Sequence, residues 1–331
     1  MKLRLAIIWL CSLAPAFAAN LTAAGATFPL PIYAKWFASF SARNPAIKIE
    51  YQAVGSGDGI RKLREGAVDF AASDMPLTDK QIGEFSGGVL HFPSVLGGVV
   101  PVYNLPAVAR DLRFTPEVLA AIFLGRMHKW NDPALRAANR GVRLPDSEIV
   151  VVHRSDGSGT TFVWTDYLSK VSPEWRQAVG SGATVNWPTG LGVERNEGMA
   201  ERVGQTPNSI GYAEFIYAVE NRLAYGSVRN AAGKFVQADL VSVPKAVPAH
   251  DIPEDFRVSI TNAAGPDAYP IAAFTYWLVP ARIADPAKKQ AVAEFLEWML
   301  TSGQRQAGAL GYVALPEAVA TRERQAIAKI Q

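Results

Sequence analysis

The stretch Ile47-Lys48-Ile49-Glu50-Tyr51-Gln52-Ala53-Val54-Gly55-Ser56-Gly57-Asp58-Gly59-Ile60 carries the reading of the fold. Ile47, Ile49 and Tyr51 alternate with Lys48 and Glu50, the two-residue period of a strand. Gly55–Gly59 is a turn of small residues, and Ile60–Glu65 beyond it reads as a helix. Upstream, Asn20–Ala23 reads as a first strand and Gly25–Phe28 as a turn. Pro29 or Pro31 then starts a helix, since proline is tolerated in the first helical turn. Ile32, Trp36, Phe37 and Phe40 fall on one broad face of that helix. Downstream, Val68–Ala72 is a short buried strand with Ser73 and Asp74 at its C-terminal end. Strand and helix thus alternate, which implies an α/β protein with a largely parallel sheet.

The rest of the chain continues in this manner. Leu90–Tyr103, rich in Val, Gly and Pro, reads as a strand region leaving the first domain, and Thr115–Phe123 as a helix with Pro116 in its first turn. Glu148–His153 is a strand through Val150, Val151 and Val152, and the turn Ser155–Thr160 opens a helix over Thr161–Lys170. Ser209–Tyr217 holds a strand and a turn, and residues 225–257 mix strands and loops. Ala272–Val279 is a late buried strand that needs a sheet to join. Pro286–Leu300 is an amphipathic helix with Phe295, Leu296, Trp298, Met299 and Leu300 on its apolar side. A second helical piece, Gly303–Ala309, is ended by Gly311. The sequence shows no internal repeat, coiled coil or low-complexity segment.

Residues 1–18 have the form of a secretory leader. Lys2 and Arg4 precede the apolar run Leu5–Leu10, and Ala16-Phe17-Ala18 is a small-x-small cleavage pattern. The apolar run is too short to span a membrane. Cleavage after Ala18 would leave 313 residues and no cysteine, because Cys11 is the only one. An anchor on Cys11 is disfavoured by bulky Trp9 and Leu10. The expectation is an exported protein that relies on its core, with no disulfides. The formal charge of +3 falls to +1 without Lys2 and Arg4, with no basic cluster of the kind nucleic acid requires. No later segment is long enough for a membrane span. A chain of this length usually divides into two domains.

Three small-residue turns lead into helix starts: Gly25-Ala26-Thr27-Phe28-Pro29, Gly55-Ser56-Gly57-Asp58-Gly59 and Arg154-Ser155-Asp156-Gly157-Ser158-Gly159-Thr160. Helix N-termini offer unpaired N–H donors and a positive dipole end, and glycine permits close approach of the backbone. Thr27, Ser56, Ser158 and Thr160 add hydroxyls, and Arg154 adds a planar fork of donors. Converging, these groups would cage a small oxyanion, which is binding chemistry and needs no catalytic apparatus. Asp74 is the discriminating residue. An ionised carboxylate only accepts hydrogen bonds, so it suits an anion that still carries a proton. Phosphate near neutral pH has such a proton and sulfate does not. Asp156 is placed to pair with Arg154 and hold its guanidinium.

Each feature alone has an ordinary reading: a Gly/Ser turn is a helix cap, Asp74 an N-cap before Pro76, Arg154 a surface ion-pair partner. Their joint occurrence in one exported α/β chain favours a site. His91 and His153 lie beside apolar runs and read as structural, and His128 and His250 show no metal-ligand spacing. The sequence has no G-x-x-x-x-G-K-[ST], H-E-x-x-H or G-x-S-x-G motif. Trp130, Trp187, Trp277 and Trp298 read as core or hinge aromatics. Tyr212, Phe215 and Tyr217 suit either a cleft lining or the core.

The chain resembles the periplasmic phosphate-binding proteins of bacterial phosphate ABC transporters. The resemblance runs through Gly25–Pro29 with Tyr33, Lys35 and Trp36, then Val68–Asp74, Phe92-Pro93 and Gly97–Val100. It continues through Ile122–Gly125 with Trp130–Pro133, and through Arg154–Phe162, its most telling stretch. Ser209–Tyr212, Gly303-Gln304 and Leu310–Val313 complete it. It implies a type II periplasmic-binding-protein clamshell of two α/β lobes joined by hinge strands. Residues 19–100 plus about 262–331 would form lobe I, and 101–261 lobe II. It also implies roles. Thr27 and Phe28 (through its backbone) donate to phosphate, Ser56 donates by hydroxyl and backbone, and Asp74 accepts the ligand's proton. Arg154 donates from the second lobe with Asp156 as its partner, and Ser158, Gly159 and Thr160 surround the remaining oxygens. The implied partners are inorganic phosphate and an inner-membrane ABC permease, the implied compartment is the periplasm, and a monomer is the default for a cargo carrier. No cofactor or metal is implied.

One departure stands out. Asp58 lies where this family commonly has a small hydroxyl or glycine; Asp suits a first helical turn, so it is expected to face outward. Arsenate, protonated like phosphate, remains an alternative ligand, whereas Asp74 argues against sulfate and molybdate. A secreted enzyme on this fold would need a nucleophile–base pair or metal set that the sequence does not display. A secreted phosphate-binding protein with a surface or signalling role, which would leave the cleft intact yet use the surface, is a further alternative.

Overall fold

The computed structural model describes residues 18–108, 111–248 and 251–331. The leader expected over residues 1–18, with Cys11, falls almost wholly outside them, as does His250.

Eight strands make up most of the main sheet. They are β1 (Ala19–Gly25), β2 (Ile47–Ala53), β3 (Phe70–Ser73), β4 (Val89–Asn104), β5 (Val150–Arg154), β6 (Leu191–Val193), β7 (Ser209–Glu214) and β8 (Ala272–Pro280). The helices that bear on the site are α1 (Leu30–Arg43), α2 (Ser56–Arg64), α3 (Gly159–Val171), α4 (Arg195–Gln205), α5 (Phe215–Glu220) and α6 (Pro286–Trp298). The strand order is β2-β1-β3-β8-β4-β7-β5-β6, with Ala224–Tyr225 also paired to β4. A small separate sheet joins Arg113–Phe114, Ser227–Arg229 and Phe235–Val236.

The α/β class and the order of the first five elements are as the sequence implies, but the sheet is mixed. β1 is parallel to β2 and β3, and β5 to β6 and β7. β8 runs antiparallel to both β3 and β4, and β4 antiparallel to β7. Parallel pairs require a crossover such as a helix. β8 returns from the far end of the chain, so it is free of that constraint.

β4 joins the two halves. Val89–Gly98 pair with β8, and Val99–Asn104 pair with β7. The change of partner between Gly98 and Val99 is fastened by residues before β8: Val99 N–H donates to Ile271 O (2.9 Å) and Tyr269 Oη–H donates to Val99 O (2.7 Å).

Each half has its own aromatic core. In the first, Tyr33 stacks on Trp277 with centroids 4.0 Å apart, among Trp36, Phe37, Phe40 and Phe295. In the second, Trp164 stacks on Tyr212 at 5.2 Å beside Phe123 and Trp187. Burying a large apolar side chain contributes roughly 1.5–3 kcal/mol, so these clusters hold each half without covalent links.

Two helix starts differ from the sequence expectation. α2 begins at Ser56 rather than Ile60, and α3 at Gly159 rather than Thr161. The glycine-rich stretches supply the first turns of these helices. First-turn N–H groups have no helical partner, so glycine costs least there, and close packing demands it. A Cβ on Gly59 would lie 2.4 Å from Gly25 Cα, so α2 sits directly on the end of β1.

Candidate functional site

The register of the parallel strands gathers the three turns. Gly25 pairs with both Ala53 and Ala72, so β1, β2 and β3 end together. Gly25 O accepts from Val54 N (3.1 Å) and Gly55 N (2.9 Å), which binds the first turn to the second. β3 ends at Ser73, and Asp74 follows it into the same place. From the other half, β5 ends at Arg154 and α3 opens five residues later. Gly57 N–H donates to Gly157 O at 2.8 Å, so the second and third turns touch.

Thr27, Phe28, Ser56, Asp74, Arg154, Ser158 and Thr160 are all buried, as is Gly159. The carbonyls of the first turn are held from behind: Tyr217 Oη–H donates to Thr27 O (2.6 Å) and Tyr312 Oη–H to Phe28 O (2.7 Å). Ser56 Oγ accepts from Asp74 N (3.3 Å). A Cβ on Gly159 would lie 2.3 Å from Ser56 Oγ and 2.6 Å from Asp74 Oδ2, which places the start of α3 against both. Ser158 caps α3, its Oγ accepting from Thr161 N (3.0 Å).

Arg154 donates from Nε and Nη2 to the two oxygens of Asp156, at 2.6 and 2.5 Å, and its backbone N donates to Tyr212 Oη at 3.1 Å. Its remaining terminal nitrogen, Nη1, is buried without a hydrogen-bond partner. A buried charged donor of this kind costs free energy unless something accepts from it. Asp58 faces solvent, with its side chain 55% exposed and paired to Arg61. It is outside the cluster, as its first-turn position predicts.

Two further residues belong to the cluster. Thr275, in the middle of β8, donates its hydroxyl to Asp74 Oδ1 at 2.7 Å. The signal for it was a hydroxyl within the apolar run Ala272–Val279. Asn196, at the start of α4, is fully buried between Thr27 and Thr160. Its surroundings, Arg195-Asn196-Glu197-Gly198, carry no periodic apolar signal, so only the structure reveals it. Arg195 before it has φ of 63°, a left-handed conformation unusual for a non-glycine residue. Glu214, at the end of β7, is also buried nearby, and burial pushes its carboxyl well above the usual range.

Burial pushes Asp74 up to about 7, while the Thr275 hydroxyl and the positive charge of Arg154 act to lower it. A carboxyl whose folded pKa exceeds its unfolded one contributes stability that is complete below the unfolded value, here 3.8, and lost as pH rises through the folded one. The full shift corresponds to about 4 kcal/mol. Ligand-free Asp74→Asn is therefore expected to gain on the parent protein as pH rises from 4 to 7, by up to that amount. Urea unfolding at pH 4 and pH 8 in oxyanion-free buffer measures it, and an equal difference at both pH values would contradict the buried, strained carboxylate.

The arrangement is a closed cage of donors with one carboxylate, and among the described residues there is no cluster able to hold a metal ion. A family model described as a PBP superfamily domain matches residues 14–303. The phosphate-binding protein PstS of Xylella fastidiosa strain Temecula1 is 45% identical over 300 residues, covering 90% of this chain and 82% of that protein. The protein of the same name from Pasteurella multocida is 45% identical over 305 residues, covering 91% and 88%. Among solved structures, a high-affinity periplasmic phosphate-binding protein with bound phosphate superposes with a TM-score of 0.73 at 21% identity, covering 93% of each chain. A phosphate-binding protein from Stenotrophomonas maltophilia gives 0.70 at 18%, again covering 93% of each. At such identities the structural likeness speaks to the two-lobe fold.

Proposed function

The chain belongs to the phosphate-binding proteins of the PBP superfamily, and from that premise we propose that it captures inorganic phosphate between its two halves and delivers it to an ABC permease. It is a solute-binding protein rather than an enzyme. The carrying observation is one buried carboxylate, Asp74, inside a cage otherwise made of donors, with Arg154 Nη1 left unpaired beside them. Thr27, Phe28, Ser56, Arg154, Ser158, Gly159 and Thr160 donate to phosphate oxygens in this reading, and Asp156 holds Arg154. Asp74 accepts from the one oxygen that carries hydrogen. Sulfate would set an acceptor against an acceptor, which costs the lost bond and adds repulsion.

Lobe I in this reading comprises residues 19–100 plus 262–331, and lobe II residues 101–261. The partner change at Gly98 and Val99 supports a hinge there. Closure around the ligand shifts the population toward the closed form. Export to the periplasm through a leader in residues 1–18, action as a monomer and docking on a membrane permease complete the proposal. Among the described residues, no helix is long and apolar enough to cross a membrane.

Calorimetric titration of the ligand-stripped protein with phosphate and with sulfate, from pH 5 to 9, tests the reading. Tight phosphate binding is expected throughout, with negligible heat from sulfate at pH 8–9, where Asp74 is ionised, and a growing sulfate response below pH 7, where its protonated carboxyl can donate. In Asp74→Asn, Thr275 still donates to the remaining oxygen, so the amide NH₂ faces the ligand. The phosphate-to-sulfate preference is then expected to fall by about a hundredfold, equivalent to one bond to a charged group. Comparable binding of both ions by the parent protein would overturn it.

A further inference from the structure

We infer that Asn196 sets the hydrogen-bond polarity of the phosphate cage, forcing the hydroxyl of Thr27, and biasing that of Thr160, to act as a donor to the anion. The inference rests on the phosphate reading above and names a positioning residue within it.

The orientation of the Asn196 amide is decided by its neighbour. Glu214 N–H donates to it at 3.3 Å, and a backbone N–H cannot accept, so the atom facing Glu214 is Oδ1. Nδ2 therefore faces the threonines, reaching Thr27 Oγ1 at 2.9 Å and Thr160 Oγ1 at 3.3 Å. An amide NH₂ only donates, so both hydroxyl oxygens accept from it. Asn196 N–H adds a second donation to Thr27 Oγ1 at 3.4 Å. Both lone pairs of Thr27 Oγ1 are then used, and its single hydrogen is left for another acceptor.

A free threonine hydroxyl rotates and offers an anion either a hydrogen or a lone pair. The wrong rotamer repels the ligand. By occupying both lone pairs of Thr27 Oγ1 and one of Thr160 Oγ1 from behind, Asn196 removes that choice at Thr27 and narrows it at Thr160 before the ligand arrives. This is preorganisation of a first contact by the residue behind it. It acts on one threonine from each half, with Thr27 before α1 and Thr160 in α3, so the polarity is set when the halves meet. The left-handed Arg195 turns the chain into α4 just ahead of Asn196, and its N–H donates to Asp156 Oδ1 at 3.2 Å. The same segment thereby steadies the Arg154–Asp156 pair.

The test is a coupling measurement by calorimetry with inorganic phosphate, at fixed pH. Asn196→Ala is expected to weaken binding about tenfold in the otherwise unchanged chain and less than threefold in a Thr27→Val background. The Thr160→Val background is expected to lie between. Losses of equal size in all three backgrounds overturn the inference. A second variant discriminates it from mere packing. Asn196→Asp keeps the shape but replaces donors with acceptors, so it is expected to lose more affinity than Asn196→Ala. A smaller loss for Asn196→Asp than for Asn196→Ala also overturns it. Absence of phosphate binding by the unsubstituted chain would overturn the functional reading itself, an outcome distinct from the other two.

Discussion

Arg154→Ala is expected to weaken phosphate binding by about a thousandfold. The substitution removes the one full positive charge in the cage. A hydrogen bond to a charged group contributes about 1.5–3 kcal/mol, and truncating one partner of a buried charge pair costs about 2–5 kcal/mol. Here the bereaved partner is Asp156, which is left with a negative charge beside an incoming anion. An intermediate figure of about 4 kcal/mol corresponds to a thousandfold. The geometry explains why lysine would substitute only in part. Nε and Nη2 are engaged by Asp156 while Nη1 stays free. An ammonium lacks this planar division of labour, so Arg154→Lys is expected to recover only part of the loss. Calorimetry on both variants measures this, and an Arg154→Ala affinity within tenfold of the parent would remove Arg154 from the site.

Gly25→Ala is expected to destabilise the fold by about 3 kcal/mol or more, or to prevent folding. Its φ of 146° is a conformation L side chains rarely adopt, and an added Cβ would lie 2.0 Å from Ala72 O and 2.7 Å from Ala72 N. Those are backbone atoms of the neighbouring strand, so relief requires parting β1 from β3. Overpacking in a well-filled region costs about 1–3 kcal/mol, with backbone strain of about 1–3 kcal/mol in addition. Gly66→Ala provides the comparison. Gly66 also has positive φ, 70°, but nothing lies within 4 Å of its added Cβ, so its cost is the strain alone. Urea midpoints for the two variants separate clash from strain. Equal destabilisation would show that the contact with Ala72 is not the cause.

The separate parts of the cage were legible in the sequence because each is local, whereas their convergence was not. A cluster of Gly, Ser and Thr ahead of an apolar helix announces free N–H groups and hydroxyls, and each of the three turns could be read that way. The outward face of Asp58 also followed from its place in a first turn. What stayed hidden depends on distant approach. Thr275 meets Asp74 across 201 residues, and Asn196 meets Thr27 across 169. Neither pairing leaves a trace in spacing. Helix starts were displaced because glycine signals a break, whereas here it permits the first turn of α2 to lie on β1. The antiparallel directions of β4 and β8 were not legible, because an apolar run carries no mark of the direction in which its neighbour runs. Asn196 was missed because its role comes from amide chemistry, while its segment has too little apolar pattern to mark a helix.

The insertion of β8 between β3 and β4 has a consequence for how the molecule comes into being. Sequence order follows synthesis, and residues 272–280 are made long after β3 and β4. Until they arrive, the facing edges of β3 and β4 have no strand to bridge them, however complete the rest of the first half. β5, β6 and β7 need no such wait, because all three lie together between residues 150 and 214. Open edges invite pairing with other chains, and a chain usually folds its N-terminal part first as it emerges. In this protein the half begun earliest is the half finished last.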